Sequence, residues 1–164
     1  MTEGRDLEGG PGWYIDRESL LPRIADEALF RAVHVEDPAV DILVALWTGH
    51  AQTAEVELRR RLTESGSLRL RALLADAARD QGRTKEAIAT YESLIREVAD
   101  TSSEAVMHQH LGKAFFVARR YREAAAAFEK ALELRLHSGA EDALTESSRF
   151  AAQRAHEEAA GSTR

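Results

Sequence analysis

Residues 105–138 read AVMHQHLGKAFFVARRYREAAAAFEKALELRLHS, and they contain the clearest structural pattern in the chain. Apolar side chains recur at spacings of three and four residues on both sides of a polar break at Arg119-Arg120, as in two consecutive amphipathic helices. After the break comes Ala124, followed at intervals of four by the large apolar residues Phe128 and Leu132. A small residue lets two helices approach closely, and the large residues fill the space beside a neighbouring pair. The stretch therefore predicts a helix pair that must stack on others to bury its apolar face.

The same arrangement occurs twice more upstream. Alanines stand in equivalent places at positions 54, 87 and 124, which are 33 and 37 residues apart. Each is followed, four and eight residues later, by two large apolar side chains: Leu58 and Leu62, Tyr91 and Ile95, Phe128 and Leu132. A repeat period of this length is typical of stacked helical repeats.

The third unit resembles a tetratricopeptide repeat. It matches that family's pattern at six positions: Leu111, Gly112, Phe115, Ala124, Phe128 and Ala131. It departs where His108 replaces the usual aromatic residue and where Leu136 stands in place of a terminal proline. The second unit matches at Leu74-Ala75, Ala87 and Tyr91, with Ala78 at the aromatic position, and the first unit matches only in its second helix.

The fold class predicted for the chain is all-α, a short right-handed superhelical solenoid of antiparallel helix pairs. An extra N-terminal helix and a C-terminal capping helix are expected to cover its two ends. The predicted units are the repeats at about 35–67, 68–101 and 105–138, the N-terminal helix at 19–33 and the capping helix at 142–159.

Outside these units, the N-terminus is expected to be irregular. Residues 1–12 are rich in glycine and charge and predict a flexible tail, and residues 161–164 predict a frayed end. Ser19 is the expected N-cap of the first helix, with Pro22 in its first turn. Residues 13–160 are then a single helical domain.

Composition argues against several classes of protein. The 22 basic and 28 acidic residues give a formal net charge of −6, which disfavours a dedicated nucleic-acid binder. The chain has no cysteine, which excludes disulfides, thiolate nucleophiles and cysteine-based metal sites. The longest apolar stretch, Ile42 to Trp47, is far shorter than the ~20 residues of a membrane span. We therefore expect a cytoplasmic protein that does not bind membranes.

The chain shows no pattern of a catalytic site. His108 and His110 are two residues apart on a helix and cannot chelate one metal ion as an i, i+4 pair would. The sequence contains no nucleophile elbow and no phosphate-binding loop. It therefore predicts a non-enzymatic protein with no metal and no cofactor.

The resemblance implies a binding surface. In tetratricopeptide arrays the first helices of successive units line a concave groove that receives a peptide or a helix of a partner protein. By register, the groove residues here are Arg69, Ala72, Asp76, Arg79, Val106, Gln109, Lys113 and Phe116. Phe115 and Phe116 cannot both face the same side, so Phe116 belongs either to the groove or to the core. The leading functional hypothesis is a protein-interaction module or adaptor.

The sequence leaves two alternatives to a protein-interaction module. The chain could be a homo-oligomeric scaffold that self-associates through an exposed anchor at Trp13-Tyr14-Ile15. It could also contact nucleic acid through a basic face of five arginines between Arg59 and Arg71. In that stretch Glu55–Arg59 and Glu57–Arg61 are favourable i, i+4 pairs, which favours a self-paired helix surface over a binding stripe.

Overall fold

The computed structural model describes residues 5–162, which form eight helices and a small three-stranded sheet. The helices are α1 (Glu27–Val33), α2 (Val40–Trp47), α3 (Ala51–Leu62), α4 (Leu68–Asp80), α5 (Thr84–Glu97), α6 (Glu104–Val117), α7 (Tyr121–Ser138) and α8 (Asp142–Gly161). From α2 onward each helix packs against the next one in the chain. The fold is therefore a mostly helical solenoid of stacked pairs, as the sequence predicts.

The three helix pairs close through the same kind of turn. The residue in the turn has a left-handed backbone in each case: Gly49 with φ 87°, Gly82 with φ 82° and Arg119 with φ 58°. The next residue then donates its backbone N–H to the carbonyl five positions earlier, at Ala45, Ala78 and Phe115. This is the hydrogen bond of a Schellman motif, and glycine adopts the required conformation without steric cost.

The small and large residues of the repeat lie where the spacing predicts. Ala54, Ala87 and Ala124 are buried, and so are Leu58, Tyr91 and Phe128. Within the third pair, a Cβ added to Gly112 would lie 2.5 Å from Cε1 of Phe128, so only glycine allows α6 and α7 to approach this closely. Gly112 lies inside a helix, so glycine is needed there for close packing and not for an unusual backbone conformation.

Residues 5–26, the described part of the N-terminal segment before α1, contain no helix. The strands β1 (Leu7–Gly10), β2 (Trp13–Ile15) and β3 (Pro22–Ile24) form an antiparallel sheet in the order β1-β2-β3. The prediction of a helix over residues 19–33 is therefore wrong for its first half. The prediction of a flexible tail over residues 1–12 fails at the strand Leu7–Gly10, and residues 1–4 lie outside the described residues.

Local hydrogen bonds explain why the helix begins late. The side chain of Asp16 accepts hydrogen bonds from the backbone N–H and the hydroxyl of Ser19, which makes a turn there, and Leu20 has φ 59°. Asp26 is the actual N-cap of α1, because its Oδ1 accepts from the backbone N–H of Leu29 at 3.0 Å. Pro22 lies on an edge strand, where proline's missing N–H is tolerated.

The N-terminal segment contacts the helices at both ends of the solenoid, because β1 packs against α8 and Arg17 pairs with Glu157. The ring of Trp13 lies 4.9 Å from that of Trp47, which in turn lies 5.3 Å from Phe30. At the other end, α8 packs against α7, as expected of a capping helix. Residues 163–164 of the predicted frayed end lie outside the described residues. None of the helices within residues 5–162 combines the length and the hydropathy that crossing a bilayer requires.

Candidate functional site

A cavity of about 550 Å³ lies on the side of the solenoid formed by the first helix of each pair. Its lining comes from α2, α4 and α6, from the sheet at one end, and from α7 and α8 at the other. Each helix contributes side chains spaced by three and four residues, which a helix presents on one face. On α6 these are Val106, Gln109, His110 and Lys113.

Most of the residues that the repeat register assigns to the groove line this cavity. Arg69, Ala72, Asp76 and Arg79 line it from α4. Phe116 does not line it: it is buried in the core, with its ring 5.1 Å from that of Tyr121 in an edge-to-face arrangement. The assignment of Phe116 to the groove is therefore wrong, because the next turn of α6 faces α7 and not the cavity.

A buried ion pair forms one wall of the cavity. The guanidinium of Arg79 contacts Asp76 and also donates through Nε to Asp80 at 2.7 Å. Asp76 Oδ1 also accepts from the hydroxyl of Tyr91 at 2.6 Å and lies 3.2 Å from Nδ1 of His110. Arg79 and Asp76 are 3% and 5% exposed, so this network is part of the interior as well as of the cavity wall.

The electrostatics of this network follow from its burial. Burial by itself raises the pKa of Asp76, but the charge of Arg79 and the contacts with His110 and Tyr91 outweigh it and hold the pKa below its usual range. Burial and the neighbouring Asp76 carboxylate raise the pKa of Tyr91. The carboxylate therefore stays ionised, and Tyr91 stays a neutral donor.

Arg69 is held at the rim of the cavity. Its two terminal nitrogens donate to the two carboxylate oxygens of Asp37, at 2.9 and 2.6 Å. Asp37 lies in the connection between α1 and α2, so this bidentate pair ties α4 to the preceding unit. The hydrogen bonds from Arg69 lower the pKa of Asp37.

A second polar chain crosses the far end of the cavity. Arg135 donates from one nitrogen to the backbone carbonyl of Leu144 and to the hydroxyl of Ser148, both at 2.7 Å. The Ser148 hydroxyl donates in turn to Oε1 of Gln109 at 2.7 Å. The Nε2 atom of Gln109 is buried and has no hydrogen-bond partner among the described residues.

Lys113 completes this end of the cavity. Its ammonium group forms no hydrogen bond or ion pair with any residue in the described range 5–162. Burial lowers its pKa to about 8, although the carboxylate of Asp76 acts in the opposite direction. Lys113 is thus a half-buried cation in the wall of the cavity.

Comparison with known families agrees with this geometry. A family model described as Tetratricopeptide repeat matches residues 68–97, which are α4, the turn at Gly82 and α5. The chain therefore contains a tetratricopeptide repeat at residues 68–97. The curated proteins and the solved structures gave no significant match to it. Tetratricopeptide repeats are in general protein-interaction modules.

Sequence reasoning missed the segments that line the cavity outside the first helices of the repeats. Trp13, Ile15 and Pro22 line it from the sheet, and Arg135, Leu144 and Ser147 line it from α7 and α8. The sheet and α8 lie outside the repeats, and Arg135 lies on the second helix of the third repeat, whereas the register assigns only first helices to the groove. One signal in the sequence could have indicated Arg135: it is a charged residue at a helix position that the apolar spacing predicts to be buried.

The exposed anchor predicted at Trp13-Tyr14-Ile15 is wrong. These residues form β2, Ile15 is buried, and Trp13 packs against Trp47 at the end of α2. The segment is part of the folded chain, and Trp13 and Ile15 line the cavity.

The arginines between positions 59 and 71 are paired with carboxylates. Arg59 binds Glu55 and Arg61 binds Glu57, as the spacing predicts. The other three pair with acidic side chains as well: Arg60 with Glu57 and Glu64, Arg69 with Asp37, and Arg71 with Glu97. Each of the five arginines therefore has an acidic partner, which favours the interpretation of a self-paired helix surface over that of a binding stripe.

Proposed function

We propose that this tetratricopeptide repeat protein is a non-enzymatic adaptor that binds a peptide or a helix of a partner protein in the concave cavity. The observation that supports the proposal is the shared cavity itself. Six side chains indicated by the repeat register line one space: Arg69, Asp76, Arg79, Val106, Gln109 and Lys113. A surface that combines apolar area with a few placed polar groups is what peptide recognition requires.

The exposed apolar residues of the cavity give the partner its first contact. Val106 on α6 is 39% exposed, and Leu144 on α8 is 45% exposed. Both line the cavity, so an apolar side chain of a partner would bury them. Arg69 at the rim offers a charged group beside them, although part of its hydrogen-bonding capacity is used by Asp37.

The proposal can be tested with peptides selected on the protein itself. A phage-displayed random peptide library is selected on the immobilised full chain, and the dissociation constants of the selected peptides are measured by fluorescence anisotropy. Val106→Arg places a long charged side chain in the cavity, so we expect at least about tenfold weaker binding. Val56→Arg is the matched control, because Val56 is 68% exposed on α3 and lies outside the cavity lining.

Two results would contradict the proposal. One is equal affinity of the selected peptides for the chain with and without Val106→Arg, which would place their site elsewhere. The other is equal weakening by Val106→Arg and Val56→Arg, which would indicate a non-specific charge effect. Circular dichroism of both variants establishes that the comparison is made on folded protein.

A further inference from the structure

The segment that precedes α1 joins two hydrophobic clusters of the solenoid. Trp13 and Ile24 pack against the cluster that α1 to α4 form, whereas Leu20 is buried in the cluster that α4 to α8 form. In the same way, β3 packs against α2 and β1 packs against α8. Residues 13–24 therefore run from one cluster to the other and back.

The same residues lie between two cavities on the side of the first helices. Ile15 and Pro22 line the cavity of about 550 Å³, whereas Leu21 and Arg23 line a smaller one of about 360 Å³. Positions 22 and 23 face opposite ways because successive side chains of a strand point to opposite faces. Arg79 lines both cavities, so they are adjacent parts of one concave surface.

The smaller cavity extends this surface to the ends of the first helices. Leu46, Asp80 and Val117, near the ends of α2, α4 and α6, line it. Residues 75–79 of α4 are all buried, and five consecutive residues make more than one full helical turn. This part of α4 is therefore covered on every side. Stacked repeats use an extended concave surface for binding, and here the chain's own N-terminal segment occupies part of it.

Leu20 is the anchor of the segment. Its side chain is 0% exposed, and its backbone has φ 59°, a conformation that is strained for leucine. Its N–H donates to the carbonyl of Asp16 at 2.8 Å, which closes the turn that presents the side chain. Strain of this kind persists only where the surroundings impose it, as burial of the leucine does here. A segment held by a buried apolar side chain resembles a peptide ligand in a groove.

The other attachments of the turn are polar. Arg17 pairs with Glu157 at 3.0 Å, with side chains 29% and 39% exposed, and Arg154 donates to the carbonyl of Arg17 at 3.2 Å. Partly exposed ion pairs add little stability, and a sheet of strands three or four residues long is marginal by itself. The helices from α2 onward pack directly against one another. This arrangement favours a segment that detaches while the helices stay folded.

We propose that residues 13–24 are an internal ligand of the concave surface, and that a partner segment displaces them by placing a large apolar side chain in the site of Leu20. Displacement joins the two cavities into one groove. The identity of the displacing partner rests on the adaptor function proposed above, whereas detachment of the segment can be measured without a partner. Because a partner has to compete with the segment, its apparent affinity depends on how firmly the segment is bound.

Hydrogen exchange of the full chain, followed by NMR, tests detachment without any partner. The probes are the N–H groups of Leu20 and Ala25, which donate to the carbonyls of Asp16 and Gly12, both at 2.8 Å. We expect these two to share one opening step and to be protected at least about tenfold less than the amides in the middle of α6. Protection equal to that of α6 would overturn the proposal, because the segment would then leave only when the whole chain unfolds.

Leu20→Ala weakens the anchor and so tests the competition. We expect exchange in residues 13–24 to become at least about tenfold faster, with exchange in α6 unchanged. The peptides selected on the full chain should bind this variant at least about fivefold more tightly, because their internal competitor is weaker. Leu136→Ala is the matched control, since Leu136 is 58% exposed and lines neither cavity. A purely structural role of Leu20 would instead weaken peptide binding.

A covalent link tests the opposite change with Leu20 in place. The chain has no cysteine, so Arg17→Cys and Glu157→Cys can be joined specifically by a short bis-maleimide. The same double variant capped with N-ethylmaleimide is the control, because it carries both substitutions without the link. We expect the linked protein to bind the selected peptides at least about tenfold more weakly than the capped one.

Two results with peptides would overturn the proposal. One is equal affinity for the linked and the capped protein, which would mean that the segment stays in place during binding. The other is weaker binding to Leu20→Ala than to Leu136→Ala. If no peptide is selected on the chain at all, the adaptor proposal fails, and hydrogen exchange alone then decides whether the segment detaches.

Discussion

The replacement Asp76→Asn removes the charge at the centre of the buried network while it keeps the size and shape of the side chain. Asp76 Oδ1 lies against three groups: the Arg79 guanidinium, the Tyr91 hydroxyl and the His110 ring. An amide oxygen accepts hydrogen bonds more weakly than a carboxylate and carries no charge to balance Arg79. The variant therefore leaves a buried guanidinium with Asp80 as its remaining carboxylate partner.

The size of the effect follows from this burial. Breaking a buried ion pair by removing one partner costs about 3–5 kcal/mol, because the other charge stays buried and uncompensated. Asp80 still pairs with Arg79 and offsets part of its charge. We therefore expect the free energy of unfolding to fall by about 3 kcal/mol, at the lower end of that range. For a chain of this length, 1 kcal/mol corresponds to roughly 2–4 °C, so the midpoint of thermal unfolding should fall by roughly 6–12 °C.

Urea unfolding followed by far-ultraviolet circular dichroism measures this change. The control is Glu97→Gln, which removes the exposed ion pair with Arg71 and should leave the unfolding midpoint unchanged within error. Arg79→Met and the double variant complete a double-mutant cycle. Because the two side chains are in direct contact, the double variant should lose roughly 1–3 kcal/mol less than the sum of the single variants.

The reasoning fails if Asp76→Asn and Glu97→Gln have the same unfolding midpoint. It also fails if the two single effects at Asp76 and Arg79 add without coupling. Either result would mean that the pair contributes no more than an exposed ion pair does.

Two further predictions concern the same packing. Gly112→Ala places a methyl group 2.5 Å from Cε1 of Phe128, so we expect it to destabilise the chain by about 1–3 kcal/mol in urea unfolding. Gly66→Ala has no neighbour within 4 Å and serves as its control, and equal midpoints for the two would contradict the prediction. The second is a pH dependence: the pKa of Asp76 is lower in the folded than in the unfolded chain, where it is about 3.9. Its stabilising contribution is therefore present in full above about pH 5 and is lost as the pH falls. The stability difference between the unmodified chain and Asp76→Asn should shrink by roughly 1 kcal/mol between pH 7 and pH 3, and a constant difference would exclude this.

Sequence reasoning succeeded where local periodicity carries the information. Ala87 and Tyr91 are one helical turn apart, and both are buried in the structure because the repeat leaves each pair an apolar face to cover. The i, i+4 pairs Glu55–Arg59 and Glu57–Arg61 formed for the same reason, since both partners lie on one helix.

Sequence reasoning failed at the N-terminus, where the pairing of strands overrides the local preference for a helix. Ser19 and Pro22 are good residues for a helix start, but hydrogen bonds to Asp16 place Ser19 in a turn, and pairing with Ile15 places Pro22 in a strand. Strand pairing joins residues by contacts that no local window of sequence contains. The same limit applies to Phe116, which the register allowed in either the groove or the core and which the packing of α7 buried.

The sequence by itself determined the helix pairs, their repeat, and six of the side chains that face the concave side, because helical spacing assigns residues to faces. Only the tertiary structure decided what encloses that side. It brought Trp13 from the sheet and Arg135 from α7 to one cavity. It also placed the Ser148 hydroxyl against Oε1 of Gln109, whose Nε2 has no hydrogen-bond partner within residues 5–162. Trp13 and Ser148 lie outside the repeats and far from Gln109 in the chain, so their meeting depends on how the segments that flank the repeats pack against them.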